Sequence, residues 1–344
     1  MKDAKYELLT EELRRRIREG SLRPGDMLMS RSQMEKHYSV SATTINRALD
    51  ALESEGLIDR RKGRGCFVAE YTGTDKIAVI CPLSVKPNKT DISPFMVNAI
   101  AVALKDTGFV PLLFDSESVC RSFDAALEQK AAGILLNVYD RASLQSRVAR
   151  AESMGLPVVF LDKKGPGGGF VGTDHYRGAL KGVEKALALG YDRIYHFFEN
   201  TDVSSVVERK LGYAHAMTLA NLNTRLIPVD TSGEDYIARF YEAMTENKGI
   251  LHEKCAIFTT NGDGMTGVWR AVREIAPREY PALISFDDPD IVLPAGAPFV
   301  NIVQDLQAIG TEAVGMLLTR ITKGAGPSEK RISPEIRVVT GGRQ

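Results

Sequence analysis

The chain holds one tryptophan, Trp269, in 344 residues, and aromatic residues of all kinds reach only 7%. Its four cysteines, Cys66, Cys81, Cys120 and Cys255, show no CxxC or CxxH spacing. That pattern argues against a metal knuckle or a disulfide framework and is the one expected of free thiols in a reducing compartment. Neither sign of charge is in excess: 44 Lys+Arg meet 44 Asp+Glu, so the whole chain casts no net field toward nucleic acid or membrane. No apolar run approaches the roughly 20 residues of a membrane span, and no basic-then-apolar leader opens the sequence, so a soluble cytoplasmic protein is expected. Chemical motifs are missing too. There is no GxxxxGK[ST] loop and no GxSxG elbow, and Gly165-Pro-Gly-Gly-Gly169 lacks the GxGxxG spacing of a dinucleotide fingerprint. The five histidines share no motif and are expected at surface or helix positions. Neither a metal nor a cofactor is expected, and no catalytic residue is assigned.

What is present is organised around residues 24–68. A Pro24-Gly25 turn precedes two short helical patterns, expected at about 30–37 and 41–55. The second repeats apolar residues at Ile45, Ala48, Leu49 and Leu52, which makes one buried face, and Ser41 is placed to cap it. Its other face offers Ala42, Thr43, Thr44, Asn46, Arg47 and Asp50. Small hydroxyls there suit phosphates, and Asn or Arg suits base edges in a major groove. A helix over 3–19, with Gly20 as its stop, precedes this unit, and a two-stranded hairpin over 57–69 follows it. The hairpin tip carries Arg61, Lys62, Gly63 and Arg64. Residues 1–70 hold 14 Lys+Arg against 12 Asp+Glu, a weak bias, but the cations cluster at Arg14–Arg18 and Arg60–Arg64. A local patch of that kind neutralises phosphates in a neutral protein.

A polar linker is expected at 71–75, and from Lys76 apolar strands alternate with amphipathic helices, the signature of parallel sheets covered on both faces. Strands are expected at 77–80, 110–114, 133–137 and 158–161. After the glycine-rich break the pattern restarts, with strands at 193–198, 226–229, 256–259 and 282–286. Residues 299–303, a helix over 306–322 and one last strand over 332–339 close the chain. Two βα halves of similar size imply two lobes with ligand-facing edges at their strand C-termini.

The head resembles the winged helix-turn-helix of the GntR family of transcription regulators. The shared residues are Pro24-Gly25-Asp26, Leu28, Ser30, Val40-Ser41, Thr43-Thr44-Ile45, Ala48-Leu49, Leu52, Glu55-Gly56-Leu57-Ile58 and Gly63-x-Gly65-x-Phe67-Val68. Met29, Arg31, Ala42 and Asn46 depart from the family's usual residues, so its operator sequence does not carry over. The remainder resembles the sugar-sensing core of LacI/GalR repressors, which is related to periplasmic sugar-binding proteins. The residues behind this are Gly133–Leu136, Pro157–Asp162, Val171–Asp174 with Gly178, Glu208-Arg209-x-x-Gly212-Tyr213, Thr260-Asn261-Gly262-Asp263, Ile284–Asp288 and Ile302–Asp305. The combination is similar to the arabinose-repressor branch of the GntR family.

The resemblance implies an α/β protein: an N-terminal winged helix-turn-helix (1–70) and a two-lobed periplasmic-binding-protein-like effector core (76–344) with doubly wound parallel sheets. It implies a homodimer binding a double-stranded DNA operator, a small-molecule effector of the sugar type, and no membrane partner. DNA contacts are expected from Arg31, Ser41, Thr43, Thr44, Asn46, Arg47, Lys62, Gly63 and Arg64. Effector contacts are expected from Asp162, Arg209, Asn261, Asp287 and Gln304, since planar polar groups match a ring of hydroxyls. Phe95 and Phe286 are expected as apolar walls for the C–H face. Asp174 and Asp305 read as helix caps, and Trp269 as core. The rival reading is a sugar-binding enzyme or a solute-binding protein with an accessory helical head.

Overall fold

The computed structural model describes residues 2–18, 21–54, 57–69, 74–83, 92–138, 142–232, 235–277, 280–289, 291–294, 296–324 and 326–340. Gly20, Glu55, Gly56 and most of the expected linker lie outside them.

Three helices and a hairpin form the head: α1 (Lys2–Arg18), α2 (Arg31–Tyr38), α3 (Ala42–Ser54), β1 (Ile58–Arg61) and β2 (Gly65–Val68). Leu9, Leu13 and Ile17 of α1 pack on Met34 of α2 and on Ile45, Ala48, Leu49 and Leu52 of α3. The 3/4 spacing thus becomes one buried seam. Ser30 caps α2 in a capping box with Gln33, and the Ser41 hydroxyl accepts from the Thr44 amide at 3.3 Å. β1 and β2 pair antiparallel from Ile58–Val68 to Arg61–Gly65, and Met27 adds a single bridge to Phe67.

The first lobe begins with β3 (Lys76–Cys81), α4 (Ser93–Leu104), β4 (Val110–Asp115), α5 (Val119–Glu128), β5 (Gly133–Leu136), α6 (Gln145–Ser153), β6 (Val158–Leu161) and β7 (Gly169–Thr173). The second contains α7 (His175–Ala188), β8 (Ile194–Glu199), α8 (Ser204–Leu219), β9 (Arg225–Val229), α9 (Tyr236–Glu246), β10 (Ala256–Thr259), α10 (Gly262–Ile275), β11 (Ala282–Phe286) and β12 (Pro298–Val303). Then come α11 (Leu306–Lys323), β13 (Glu329–Ile332) and β14 (Glu335–Thr340). The strand orders are β13-β7-β6-β5-β3-β4 and β14-β12-β11-β10-β8-β9. Every pairing in the two sheets is parallel except β12–β14.

Two expectations need correction. No strand was expected between the glycine-rich break at 165–169 and the helix that follows, yet residues 169–173 form one between β6 and β13; Gly169 and Gly172 hid the apolar run Phe170-Val171. The single last strand is two, because the chain passes from one sheet to the other at Ser333-Pro334. The lobes are therefore not two consecutive halves of the chain. The C-terminal α11 packs beside α4 on the first sheet, with Ile309, Val314 and Leu317 meeting Met96, Ile100 and Leu104. The chain crosses between lobes three times, after Thr173, after Val303 and at Pro334.

Alternation along the buried strands fills both faces. In β3, Ile77 and Val79 face α4 and α11, whereas Ala78 and Ile80 face α5 and α6. In the second lobe Trp269, as expected, is core, packed beside Tyr280 with Met265 and Val272 in the same cluster.

Candidate nucleic-acid interface and effector cleft

The head presents an uneven cationic surface. Thr43 and Arg47 are exposed on α3, and Arg31 is exposed at the start of α2. The Arg47 guanidinium lies over the Tyr6 ring at 4.2 Å, a contact that braces an otherwise long, flexible side chain. Lys62, Gly63 and Arg64 form the exposed hairpin tip, where Gly63 adopts φ +73°. A groove of about 640 Å³ runs between this tip and the start of α2, with Arg31, Arg61, Lys62 and Arg64 along it.

Other expected contacts are turned elsewhere. Thr44 is buried, and its hydroxyl sits 3.0 Å from that of Ser41, so both oxygens serve the helix cap. Asn46 is half-buried, with its side-chain oxygen enclosed and without a partner. The 3/4 period of α3 explains both: positions 44 and 45 start the face that packs on the head core. Arg60 turns inward to pair with Asp50 and Glu53 of α3, tying the hairpin to the helix.

Between the lobes lies a cleft of about 550 Å³. Polar residues at or just beyond the C-terminal ends of parallel strands line it: Asn137 after β5, Asp162 after β6, Glu199 ending β8, Asn261 after β10, Asp287 after β11 and Gln304 after β12. This is where an open parallel sheet leaves side chains free of the hydrogen-bond ladder and facing a crevice. Of the seven expected effector residues, Asp162, Arg209, Asn261, Asp287 and Gln304 line this cleft.

The two aromatic walls do not. Phe95 is 62% exposed on the outside of α4, while Ile92 and Ser93 from the start of that helix reach the cleft. Phe286 is fully buried behind the site, 3.9 Å beneath the Arg209 guanidinium. It ends β11 with its side chain in the sheet's core, so it supports Arg209 rather than the cavity wall.

Arg209 is immobilised from three sides. Beyond the Phe286 ring, it donates to the Thr260 carbonyl and, from Nη2, to His175 Nδ1 at 3.1 Å. Guanidinium only donates, so Nδ1 must accept and the imidazole proton resides on Nε2. Nε2 lies 3.0 Å from Asp162 Oδ1 and 3.4 Å from the Asp162 carbonyl. Burial opposes ionisation of Asp162, but His175, Lys163 and Arg209 outweigh it and hold the carboxyl well below the usual carboxylate range. Burial pushes the Asp287 carboxyl up, only partly offset by Arg209 and the Gln304 amide. Gln304 donates from Nε2 to both Asp287 oxygens at 3.0 Å, and its own oxygen accepts from Thr173.

The far wall is a second network. Asn261 caps α10 through its oxygen, 2.8 Å from the Gly264 amide, and donates from Nδ2 to Glu199 Oε1 at 3.1 Å and to the Tyr236 oxygen at 2.7 Å. Burial and the adjacent Glu199 carboxylate raise the Tyr236 hydroxyl well above its ordinary value, so it stays protonated and donates to Glu199. Arg331 of β13 spans the lobes with a two-pronged ion pair to Glu208 of α8, at 2.8 and 2.9 Å. Gly212 lets α7 and α8 approach closely, since a Cβ there would lie 2.2 Å from the Tyr176 carbonyl.

Asn137, Lys163, His175, Glu199 and Tyr236 were not foreseen. Histidines were expected at surface or helix positions; His175 does open helix α7, though buried, whereas His196 is buried in strand β8, where burial lowers its pKa to about 3. Asn137 and Glu199 each close an apolar strand run with a polar residue, which is the signal that marks them. Asp174 and Asp305 cap α7 and α11, as expected.

Residues 5–68 match the gntR family of bacterial regulatory proteins, and residues 183–342 match the periplasmic binding protein-like domain. The chain is thus a DNA-binding transcription regulator with a GntR-family head and a periplasmic-binding-protein-like core. Among individual relatives, it is 22% identical to the arabinose metabolism transcriptional repressor of Halalkalibacterium halodurans, over 93% of this chain and 90% of that protein. It is 24% identical to the HTH-type transcriptional regulator RafR of Escherichia coli, over 89% and 95%. In fold it resembles the transcriptional regulator CelR–cellobiose complex (TM-score 0.66, 20% identity, 88% of this chain and 92% of that one). It also resembles the Cra transcriptional dual regulator of Pseudomonas putida in complex with fructose 1-phosphate (TM-score 0.65, 16% identity, 77% and 98%).

Proposed function

We propose that this protein represses carbohydrate-use genes as a homodimer, and that a monosaccharide-like effector bound between its lobes controls its affinity for a pseudo-palindromic operator. The observation that carries the reading is the convergence of Asp162, Arg209, Asn261, Asp287 and Gln304, from both lobes and one crossing segment, on a single polar cleft. Such a cleft offers fixed donors and acceptors to a ring of hydroxyls. It touches elements on either side of the chain crossings, so an occupant biases one lobe arrangement over another. The names of the relatives, an arabinose metabolism repressor among them, favour the same class of ligand.

Surface chemistry supports the dimer. β4 and β9 are edge strands carrying exposed Val110, Leu113 and Leu226, and the adjacent α4 and α8 expose Phe95, Val102, Leu211 and Leu219. Apolar, unpaired edges in both lobes call for a cover, and a second copy supplies it symmetrically. On DNA, Thr43 and Arg47 would enter the major groove, with Arg31, Lys62 and Arg64 on the backbone.

A thermal-shift screen against free sugars, sugar phosphates and nucleosides tests the cleft. Ligand at 100 times its dissociation constant stabilises the core by about 2.7 kcal/mol. One class of sugar should raise the melting temperature, and Arg209→Lys should abolish the shift, because lysine cannot reproduce the guanidinium fork. A shift that survives that substitution places the ligand elsewhere.

A further inference from the structure

Among the described residues, two polar atoms of the cleft-lining side chains have no hydrogen-bond partner: Glu199 Oε2 in the second lobe and Asn137 Nδ2 in the first. Both residues are deeply buried, Glu199 at 8% and Asn137 at 0% exposure. Their other atoms are committed. Glu199 Oε1 accepts from Tyr236 and Asn261, and Asn137 Oδ1 accepts from Lys163 Nζ at 2.9 Å. Both residues line the same cleft, so an unpaired acceptor belongs to the wall of the second lobe and an unpaired donor to the wall of the first. Buried polar atoms without partners are costly, and a ligand that pairs them recovers that cost.

Charge narrows the ligand further. Among the described residues the cleft is lined by Asp162, Glu199, Asp263 and Asp287, against Lys163 and Arg209, an excess of two negative charges. The Arg209 guanidinium is already engaged by His175, the Thr260 carbonyl and Phe286. Among the described residues no cation lies within ion-pair distance of Glu199, whose hydrogen bonds come from the neutral Tyr236 and Asn261. The N-terminus of α10 also opens here and would by itself favour an anion. Asp263 in its first turn and Glu199 on its capping Asn261 oppose that effect.

Resting on the sugar reading of the cleft, we infer that Glu199 is the selectivity residue: the effector is a non-anionic polyhydroxy compound that donates a hydroxyl to Glu199 Oε2 and accepts from Asn137 Nδ2. Sugar phosphates and uronates, which place negative charge in the same space, are rejected. A hydroxyl both donates and accepts, so one ligand bridges the two walls and ties the lobes together.

Isothermal titration of the full chain against free aldoses and ketoses, their phosphates and the matching uronic acids tests this. The best neutral sugar should lose on the order of 100-fold in affinity on phosphorylation or oxidation to the uronate. Glu199→Gln should shrink that penalty by about 10-fold or more, since the amide keeps the shape and removes the charge. Asn137→Ala should weaken neutral sugars without changing the penalty. A phosphate or uronate that outbinds its neutral parent in the unaltered protein overturns the inference and leaves the sugar cleft standing. An unchanged penalty in a folded Glu199→Gln does the same. Silence across the whole panel overturns both readings.

Discussion

Asp162 and Asp287 are counterparts in the two lobes. Each is the first residue beyond a buried parallel strand, each lines the cleft, Asp162 buried and Asp287 half-buried, and their φ angles are +58° and +61°. Aspartate tolerates this left-handed conformation better than most residues, and it turns the side chain back across the strand ends. Their electrostatic settings are opposite. Burial disfavours charge on both, but His175, Lys163 and Arg209 hold Asp162 ionised, while Asp287 is left with its carboxyl raised.

Stability should therefore respond to pH in opposite senses at the two sites. A depressed carboxyl stabilises the fold above its unfolded value near 4 and loses that contribution as pH falls through the folded value. Asp162→Asn should then cost about 3 kcal/mol at neutral pH and progressively less below about pH 4. A raised carboxyl contributes stability below its unfolded value and loses it as pH rises. Asp287→Asn should accordingly raise the melting temperature at pH 7 and leave it unchanged near pH 4. Thermal unfolding of both variants between pH 3 and 8 checks the signs.

Gly212 fixes the spacing of α7 and α8, which carry His175 and Arg209. The Cβ of Gly212→Ala would meet backbone on the facing helix, so the helices must separate. Overpacking of this kind costs about 1–3 kcal/mol, read as a melting temperature several degrees lower. Because Arg209 moves with α8, effector affinity should fall as well. A variant with ordinary stability would show that the two helices yield more easily than their packing indicates.

In the head, Arg64 and Arg47 should behave differently. Arg64→Ala removes a cation at the hairpin tip and should weaken binding to all duplexes, flattening the salt dependence by roughly one unit. Arg47→Ala should relax base preference, by about 1–3 kcal/mol at the position it reads. Asn46→Ala should matter less, because its side-chain oxygen is enclosed. Competition binding with a selected duplex and random DNA at several salt concentrations separates these cases.

Much of this was legible from residue patterns. Period-3.6 apolar positions such as Ile45, Leu49 and Leu52 located α3 and its packing face, and the βα alternation located both sheets. Four cleft residues were legible through motifs that end strands, such as Ile284–Asp288, and Arg209 through the Glu208–Tyr213 motif, which lies inside α8. Less visible were features set by three-dimensional neighbours. Phe95 stands in a helix that reaches the cleft only through Ile92 and Ser93 at its start, so its aromatic character suggested a wall where the chain places surface. Phe286 belongs to the right strand end but to its buried face. His175 follows a capping aspartate and looked like an ordinary first-turn residue, because Asp162 and Arg209 come from distant segments. β7 was masked by glycines, and the lobe crossing at Pro334 by the absence of any composition change.

The central claim is that an occupant of the cleft changes the grip of the head on DNA. It is tested most directly by fluorescence anisotropy on a duplex that the full-length protein has itself selected from a random pool, with and without saturating effector from the sugar screen. A coupling of about 1–3 kcal/mol corresponds to a 5–150-fold change in affinity. The account predicts weakening of that size, reproduced in reverse as weaker effector binding to the DNA-bound protein, and lost in Arg209→Lys. Equal affinity for the duplex with the cleft empty and with the cleft saturated would contradict it.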